Sequence, residues 1–91
     1  MDKRIVDMTY NEIISLEPLE KAKRLKEYRK YLTTIINKLY MKAIKYKDFS
    51  FSKDEEDLTL YQMAEELKEF LKDKNITDEE IKDIVYKGAI K

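Results

Sequence analysis

Basic side chains crowd one segment of this sequence, and their types suit contact with nucleic-acid phosphates. Residues 18–47 carry ten Lys and Arg against two acidic residues, a net charge of +8, whereas residues 1–17 carry −2 and residues 48–91 carry −6. Cationic groups neutralise phosphates, and a tyrosine among them can stack on a base. The candidate nucleic-acid-binding residues are Arg24, Arg29, Lys30, Tyr31, Lys38, Lys42 and Lys45.

A solvated helix face explains the same basic residues without any nucleic acid. The acidic segments on either side could neutralise the basic one inside a single fold. Lysine outnumbers arginine in residues 18–47, which slightly favours this explanation because base edges are read best by the arginine fork. Both interpretations stay open at the level of sequence.

A second candidate surface is apolar and aromatic, and it follows the basic residues along the chain. Aromatic, Met and aliphatic side chains are enriched at the centres of protein interfaces. Seven tyrosines are difficult to absorb into so small a core, because each buried hydroxyl needs a hydrogen-bond partner. The alternative is that neighbouring helices simply bury these side chains. The candidate partner-binding residues are Tyr40, Met41, Ile44, Phe49 and Phe51.

Catalytic and metal chemistry have few candidate residues here. The sequence contains no His and no Cys, so the serines and threonines lack the usual activating base, and no thiolate is available. The acidic run at residues 54–57 lacks the alternating ligands and turn glycine of a calcium loop. Negative charge at the start of a helix explains that run more simply. We therefore predict no enzyme activity, no cofactor and no metal site.

Length and composition set the protein class. A chain of 91 residues predicts one domain, residues 1–91, with a thin core. The 42% charged residues are typical of hyperthermophile proteins, in which ion pairs gain value with temperature. No segment approaches the roughly 20 apolar residues of a membrane span, and no signal-peptide core is present at the N-terminus. We expect a cytoplasmic protein with no membrane partner.

Local signals predict an all-α fold, a small bundle of about four helices around one long central helix. A Thr9–Glu12 capping box predicts a helix over 10–16, and Pro18 suits the first turn of a helix over 18–47. Capping boxes at Thr59 and Thr77 predict a helix ending near Asp73 and a last helix, which Gly88 would terminate. Residues 53–57 are expected to form a turn or a short helix, although Ser52 and Glu55 offer another capping box. The core-facing stripe of the long helix comprises Leu25, Tyr28, Leu32, Ile35, Ile36, Leu39, Ala43 and Tyr46.

Two stretches, IINKLYMKAIKYKDF and DLTLYQMAEELKEFLK, resemble a pattern of archaeal replication proteins. A long helix, a short acidic link and a Thr-capped helix over about residues 32–72 are similar to the helical domain of GINS subunits, without their small β-domain. The size and composition also resemble the small accessory subunit of B-family DNA polymerases in hyperthermophilic archaea. Both resemblances imply a component of an assembly without activity of its own.

These observations predict a non-enzymatic accessory subunit of a larger assembly, such as a DNA polymerase or replisome complex. It would dock through the apolar and aromatic residues of the long helix. The alternative is a stand-alone protein that binds nucleic acid non-specifically through the basic face of residues 21–47.

Overall fold

Four helices and two 3-10 turns form the part of the chain that the computed structural model describes, residues 3–90 with side chains for 3–86. No strand occurs within that range, which confirms the predicted all-α bundle. The helices differ greatly in length, and α2 is the longest. The elements are a 3-10 turn (Ile5–Asp7), α1 (Tyr10–Ile14), α2 (residues 18–44), a second 3-10 turn (Glu55–Asp57), α3 (Leu60–Asp73) and α4 (Asp78–Ile90).

The long helix α2 sets the length of the molecule. Its 27 residues correspond to about 40 Å at 1.5 Å per residue, and the longest dimension of the fold is 42 Å. Pro18 occupies the first turn as predicted, where its missing N–H costs no hydrogen bond. The helix ends at Ile44, three residues earlier than expected, and Lys47 then adopts a left-handed backbone with φ 63°.

The middle of α2 contains a π-helical turn that its amino-acid pattern did not predict. Pro18–Tyr31 and Asn37–Ile44 are α-helical, and Leu32–Ile36 between them is wider. The N–H of Asn37 donates to the carbonyl oxygen of Leu32, five residues earlier. Such turns are rare and are often found near functional sites.

Two helix starts, fifty positions apart, are built alike and pair with each other. At Thr9 and Thr59 the hydroxyl accepts from the third helical N–H, and the side chain of Glu12 or Gln62 accepts from the cap N–H. A 3-10 turn precedes each cap. The backbones of Thr9 and Thr59 form an isolated antiparallel bridge, so α1 and α3 begin side by side.

Three details depart from the predicted caps. Thr77 accepts from the N–H of Glu80 at 3.2 Å, whereas the Glu80 carboxylate lies 3.6 Å from the Lys42 ammonium. Ser52 starts no helix and bonds to Glu66 instead. Gly88 does not terminate α4, which continues to Ile90. A single glycine inside a helix costs only about 1 kcal/mol relative to alanine, which is too little on its own to end a helix.

The core lies between α2 and the shorter helices. Both α3 and α4 pack more extensively on α2 than on each other. Four members of the predicted stripe are buried and the other four are partly buried. Among the described side chains, no buried nitrogen or oxygen lacks a hydrogen-bond partner. The buried side chains are Ile5, Met8, Ile13, Tyr28, Ile36, Leu39, Ala43, Leu58, Leu60, Met63, Leu67, Leu71, Ile81 and Ile84.

Candidate partner-binding and nucleic-acid interfaces

Three of the five predicted partner-binding residues belong to an aromatic cluster. Phe49 makes edge-to-face contacts with Phe51 and Phe70 at centroid distances of 4.9 and 5.1 Å. Tyr40 lies 6.3 Å from Phe49 and 5.8 Å from Phe51. All four side chains are partly buried. These rings attach the segment after α2 to α3. This is the structural role that the sequence offered as the alternative to partner binding, namely burial against neighbouring helices.

Polar contacts hold the same segment in place. The N–H and hydroxyl of Ser52 donate to the two carboxylate oxygens of Glu66 at 2.8 and 2.7 Å. The ammonium of Lys74 lies 5.3 Å from the centroid of the Phe70 ring and 3.8 Å from Asp48. Residues 48–52, whose order the sequence did not predict, are therefore fixed to α3 by rings, hydrogen bonds and charges together.

Met41 and Ile44, the other two predicted partner-binding residues, are exposed. They lie three positions apart near the end of α2, with 67% of Met41 and 45% of Ile44 accessible to solvent. Residues three apart are neighbours on a helix surface, so the two side chains form one apolar patch beside the half-buried Tyr40. Of the five predicted residues, these two are the exposed ones.

The predicted basic face contains two paired residues and several unpaired ones. The Arg24 guanidinium lies 3.5 Å from Glu20 and 3.8 Å from Glu27, and its side chain is only 14% exposed. Lys42 is the one basic residue of α2 that pairs with α4 in the described structure, through Glu80. Within residues 3–86, no carboxylate lies within 4.0 Å of the remaining basic side chains of this segment. They are Lys21, Lys23, Lys26, Arg29, Lys30, Lys38, Lys45 and Lys47.

Tyr31 is not exposed beside the lysines of α2. It is partly buried and lines a hollow with Val6, Ile35 and Leu60. The 3-10 turn at Ile5–Asp7 brings Val6 against this flank of α2. Stacking of Tyr31 on a base would therefore require access through that hollow, whereas Arg29, Lys30, Lys38 and Lys45 are directly exposed.

Eight exposed side chains of α2 follow one another along the helix as a row, which we call the outward row. Its members follow at intervals of three or four residues, the spacing of one helix face, and every one is exposed. From Leu19 to Ile44 the row extends about 38 Å at 1.5 Å per residue. Its first half contains three lysines and its end is apolar, but Lys30 is the one predicted nucleic-acid-binding residue among its members. The outward row is Leu19, Lys23, Lys26, Lys30, Thr33, Asn37, Met41 and Ile44.

None of the three groups with a resolved pKa shift, Arg4, Glu12 and Tyr28, belongs to the outward row. The hydrogen bond from the Lys3 ammonium, at 2.7 Å, and the cap N–H of Thr9 lower the pKa of Glu12. Burial raises the pKa of Tyr28, and the nearby carboxylate of Glu55 raises it further. Both groups stabilise the packing around α1.

No group of three or more acidic, His or Cys residues in the described part of the chain is arranged to hold a metal ion. Along residues 3–90, no helix combines the length and apolarity needed to cross a bilayer.

Comparison with known proteins gave no relative. No protein-family model, curated protein or solved structure matches this chain.

Proposed function

We propose that this protein is a non-enzymatic accessory subunit that docks onto a larger protein through the outward row of α2. The supporting observation is that exposed cations and an exposed apolar patch lie on one helix face, which no other part of the described fold covers. Met41 and Ile44 supply the apolar end of this surface, and the cluster of Tyr40, Phe49 and Phe51 fixes the chain around it.

The shape and charge of the outward row define the partner. A single convex helix needs a groove or a flat face opposite it, and its lysines need carboxylates there. An apolar pocket for Met41 and Ile44 would lie about 17 Å from Lys30, eleven residues along the helix at 1.5 Å each. A DNA polymerase or replisome protein is the host that the resemblance to archaeal replication subunits implies.

Nucleic-acid binding is the second candidate function, and the unpaired cations favour it. Eight basic side chains of residues 18–47 have no carboxylate within 4.0 Å in the described structure, although the whole chain carries no net charge. Phosphates would neutralise them. The apolar end of the row favours a protein partner instead, because bare phosphates gain nothing from the burial of Met41 and Ile44.

Affinity purification from native lysate tests the proposal. The tagged chain is purified at low and high salt, with and without nuclease, and the retained proteins are identified by mass spectrometry. We expect one protein partner to survive nuclease and salt, because apolar contacts do not depend on released counterions. Loss of every partner on nuclease treatment would favour the nucleic-acid function instead.

Matched variants connect that partner to the outward row. Ile44→Ser should abolish retention, whereas Ile14→Ser should leave it intact, because Ile14 is 42% exposed, close to the 45% of Ile44, and lies on α1. Retention that falls equally in both variants would contradict docking through the row. Circular dichroism would first verify that both variants are folded.

Reversing the charge of two lysines in the outward row tests nucleic-acid binding separately from protein docking. Lys23→Glu and Lys26→Glu together should weaken binding to a labelled DNA duplex if the cations contact phosphates, and the slope of log K against log salt should become shallower by about 0.9 per lost phosphate contact. Unchanged DNA binding in this variant would exclude the basic half of the row as a phosphate site.

A further inference from the structure

The helical pair α3 and α4 leaves an apolar groove between its members. Both helices pack on α2 more than on each other. The groove consists of a hollow of about 590 Å³ between α3 and α4 and an adjoining hollow of about 250 Å³, which Tyr31 and Ile35 of α2 also line. The two hollows share Lys68 and Val85. Ile81 and Ala64 contribute apolar atoms to its lining. This surface lies apart from the outward row and was not anticipated from the sequence.

Lysines outnumber acidic residues in the lining of the larger hollow. Residues 48–91 carry thirteen acidic and seven basic residues, yet three of those lysines, Lys68, Lys72 and Lys82, line the larger hollow. Asp78 is the acidic residue in that lining. Lys68 lies 3.9 Å from Glu65, and Lys72 and Lys82 have no carboxylate within 4.0 Å in residues 3–86.

Three of the four carboxylates of α3 line a hollow outside the groove, although Glu65 also lies 3.9 Å from Lys68. Glu65, Glu66 and Glu69 line a separate hollow beside Phe49 and Phe70. The basic groove therefore stands out against an acidic half of the chain, which indicates an acidic occupant by charge complementarity.

We propose that the groove between α3 and α4 binds an amphipathic helix of a partner protein, with acidic side chains on both sides of its apolar stripe. Lys68 and Lys72 stand on the α3 wall and Lys82 on the α4 wall, so carboxylates are needed on two sides of the guest. The apolar lining needs an apolar stripe between them. Tyr61, 55% exposed, and Tyr86, 65% exposed, lie at its edges as aromatic anchors.

A helix fits this groove better than an extended peptide. A helix satisfies its own backbone hydrogen bonds, whereas an extended strand would leave N–H and C=O groups unpaired against apolar walls. From Tyr61 to Lys72 the α3 wall is about 16 Å long at 1.5 Å per residue. That length accommodates three turns of a guest helix.

A designed peptide and two control peptides test which charge and which conformation the occupant of the groove needs. The probe is a fluorescein-labelled 15-residue peptide with a Leu stripe flanked by Glu, and binding to the full chain is followed by fluorescence anisotropy. Its controls carry Lys in place of Glu, or a central Pro that breaks the helix. We expect only the unbroken Glu peptide to bind; equal binding of either control would overturn the proposal.

Variants of the protein locate the binding site. Lys72→Glu with Lys82→Glu should weaken binding of the Glu peptide at least about tenfold, as expected for reversal of complementary charges. Lys53→Glu changes an exposed lysine outside the groove and should have no effect. Tyr86→Ser should also weaken binding, and circular dichroism verifies folding of every variant.

The remaining outcomes decide against the proposal. No binding of the Glu peptide at about 1 mM, the weak limit of useful affinity, would overturn it. Binding of DNA or anionic vesicles that is lost in the Lys72/Lys82 variant, without peptide binding, would assign the groove to a different ligand. Loss of peptide binding in Ile44→Ser would place the peptide on the outward row, so the two proposals can fail separately.

Discussion

Phe49 should act as the structural centre of the aromatic cluster. Three of the ring contacts in the cluster involve it, with Tyr40, Phe51 and Phe70. Its half-buried ring contributes about 1–1.5 kcal/mol, half of the roughly 2–3 kcal/mol that a large apolar side chain contributes when fully buried. Three ring pairs at the lower end of their range add about 0.5 kcal/mol each. We therefore expect Phe49→Ala to lower the free energy of unfolding by about 2.5–3 kcal/mol.

Chemical denaturation measures this loss, and two further variants calibrate it. Phe49→Leu keeps most of the apolar area and removes the ring geometry, so about 1.5 kcal/mol should be lost. Met41→Ala, at an exposed position, should cost within about 0.5 kcal/mol, as most surface substitutions do. If Phe49→Ala costs no more than Met41→Ala, the cluster contributes no stability, and Phe49 would be free to serve as a direct partner contact.

Three further predictions concern caps, pH and the segment after α2. Thr59→Ala should cost about 1 kcal/mol in denaturation, because the cap hydroxyl satisfies an otherwise unpaired N–H, whereas Thr59→Ser should cost much less. The hydrogen bond from Lys3 lowers the pKa of Glu12 below its ordinary 4.5. The stability that the ionised Glu12 carboxylate contributes is therefore present above that pH and is lost as the pH falls through the lowered pKa. In thermal unfolding, the stability difference between the protein and Glu12→Gln should shrink between about pH 5 and pH 3. Glu66→Gln weakens both bonds to Ser52, and hydrogen exchange of residues 48–54 should then accelerate while α3 stays protected; unchanged exchange would show that the rings alone fix this segment.

The sequence predicted the helices well because their signals are local. Thr9 and Thr59 each form the expected capping box, and Pro18 begins α2. The apolar spacing of α2 identified Leu39 and Ala43 as core. These signals depend on residues within one or two turns, so no knowledge of the tertiary fold was needed.

The π-helical turn and the surroundings of Tyr31 could not be predicted in this way. A helical wheel assumes the same rotation angle at every residue, so it cannot represent the hydrogen bond from the Asn37 N–H to the Leu32 carbonyl oxygen. Tyr31 lies at the edge of the core arc, and its burial depends on Val6, brought there by the N-terminal turn. Non-local packing decides both features.

The same limitation applies to the candidate surfaces. Residue types identified the cations and the apolar patch, but they could not show that Arg24 is paired and largely covered. They also missed the groove of Lys68, Lys72 and Lys82, although the spacing of Lys68 and Lys72 in an acidic segment was a visible signal. Tertiary packing determines which neighbouring helix each lysine faces.

The bridge between Thr9 and Thr59 has a consequence for the order of folding. Its partners are fifty residues apart, so the chain must close a long loop before this contact contributes any stability. The contacts within each of the helices α2, α3 and α4 are more local and can form sooner. We therefore expect the N-terminal turn and α1 to dock after the folding transition state and to open first in the native protein. Residues 3–14 would then exchange with a detached state while α2 and α3 remain folded.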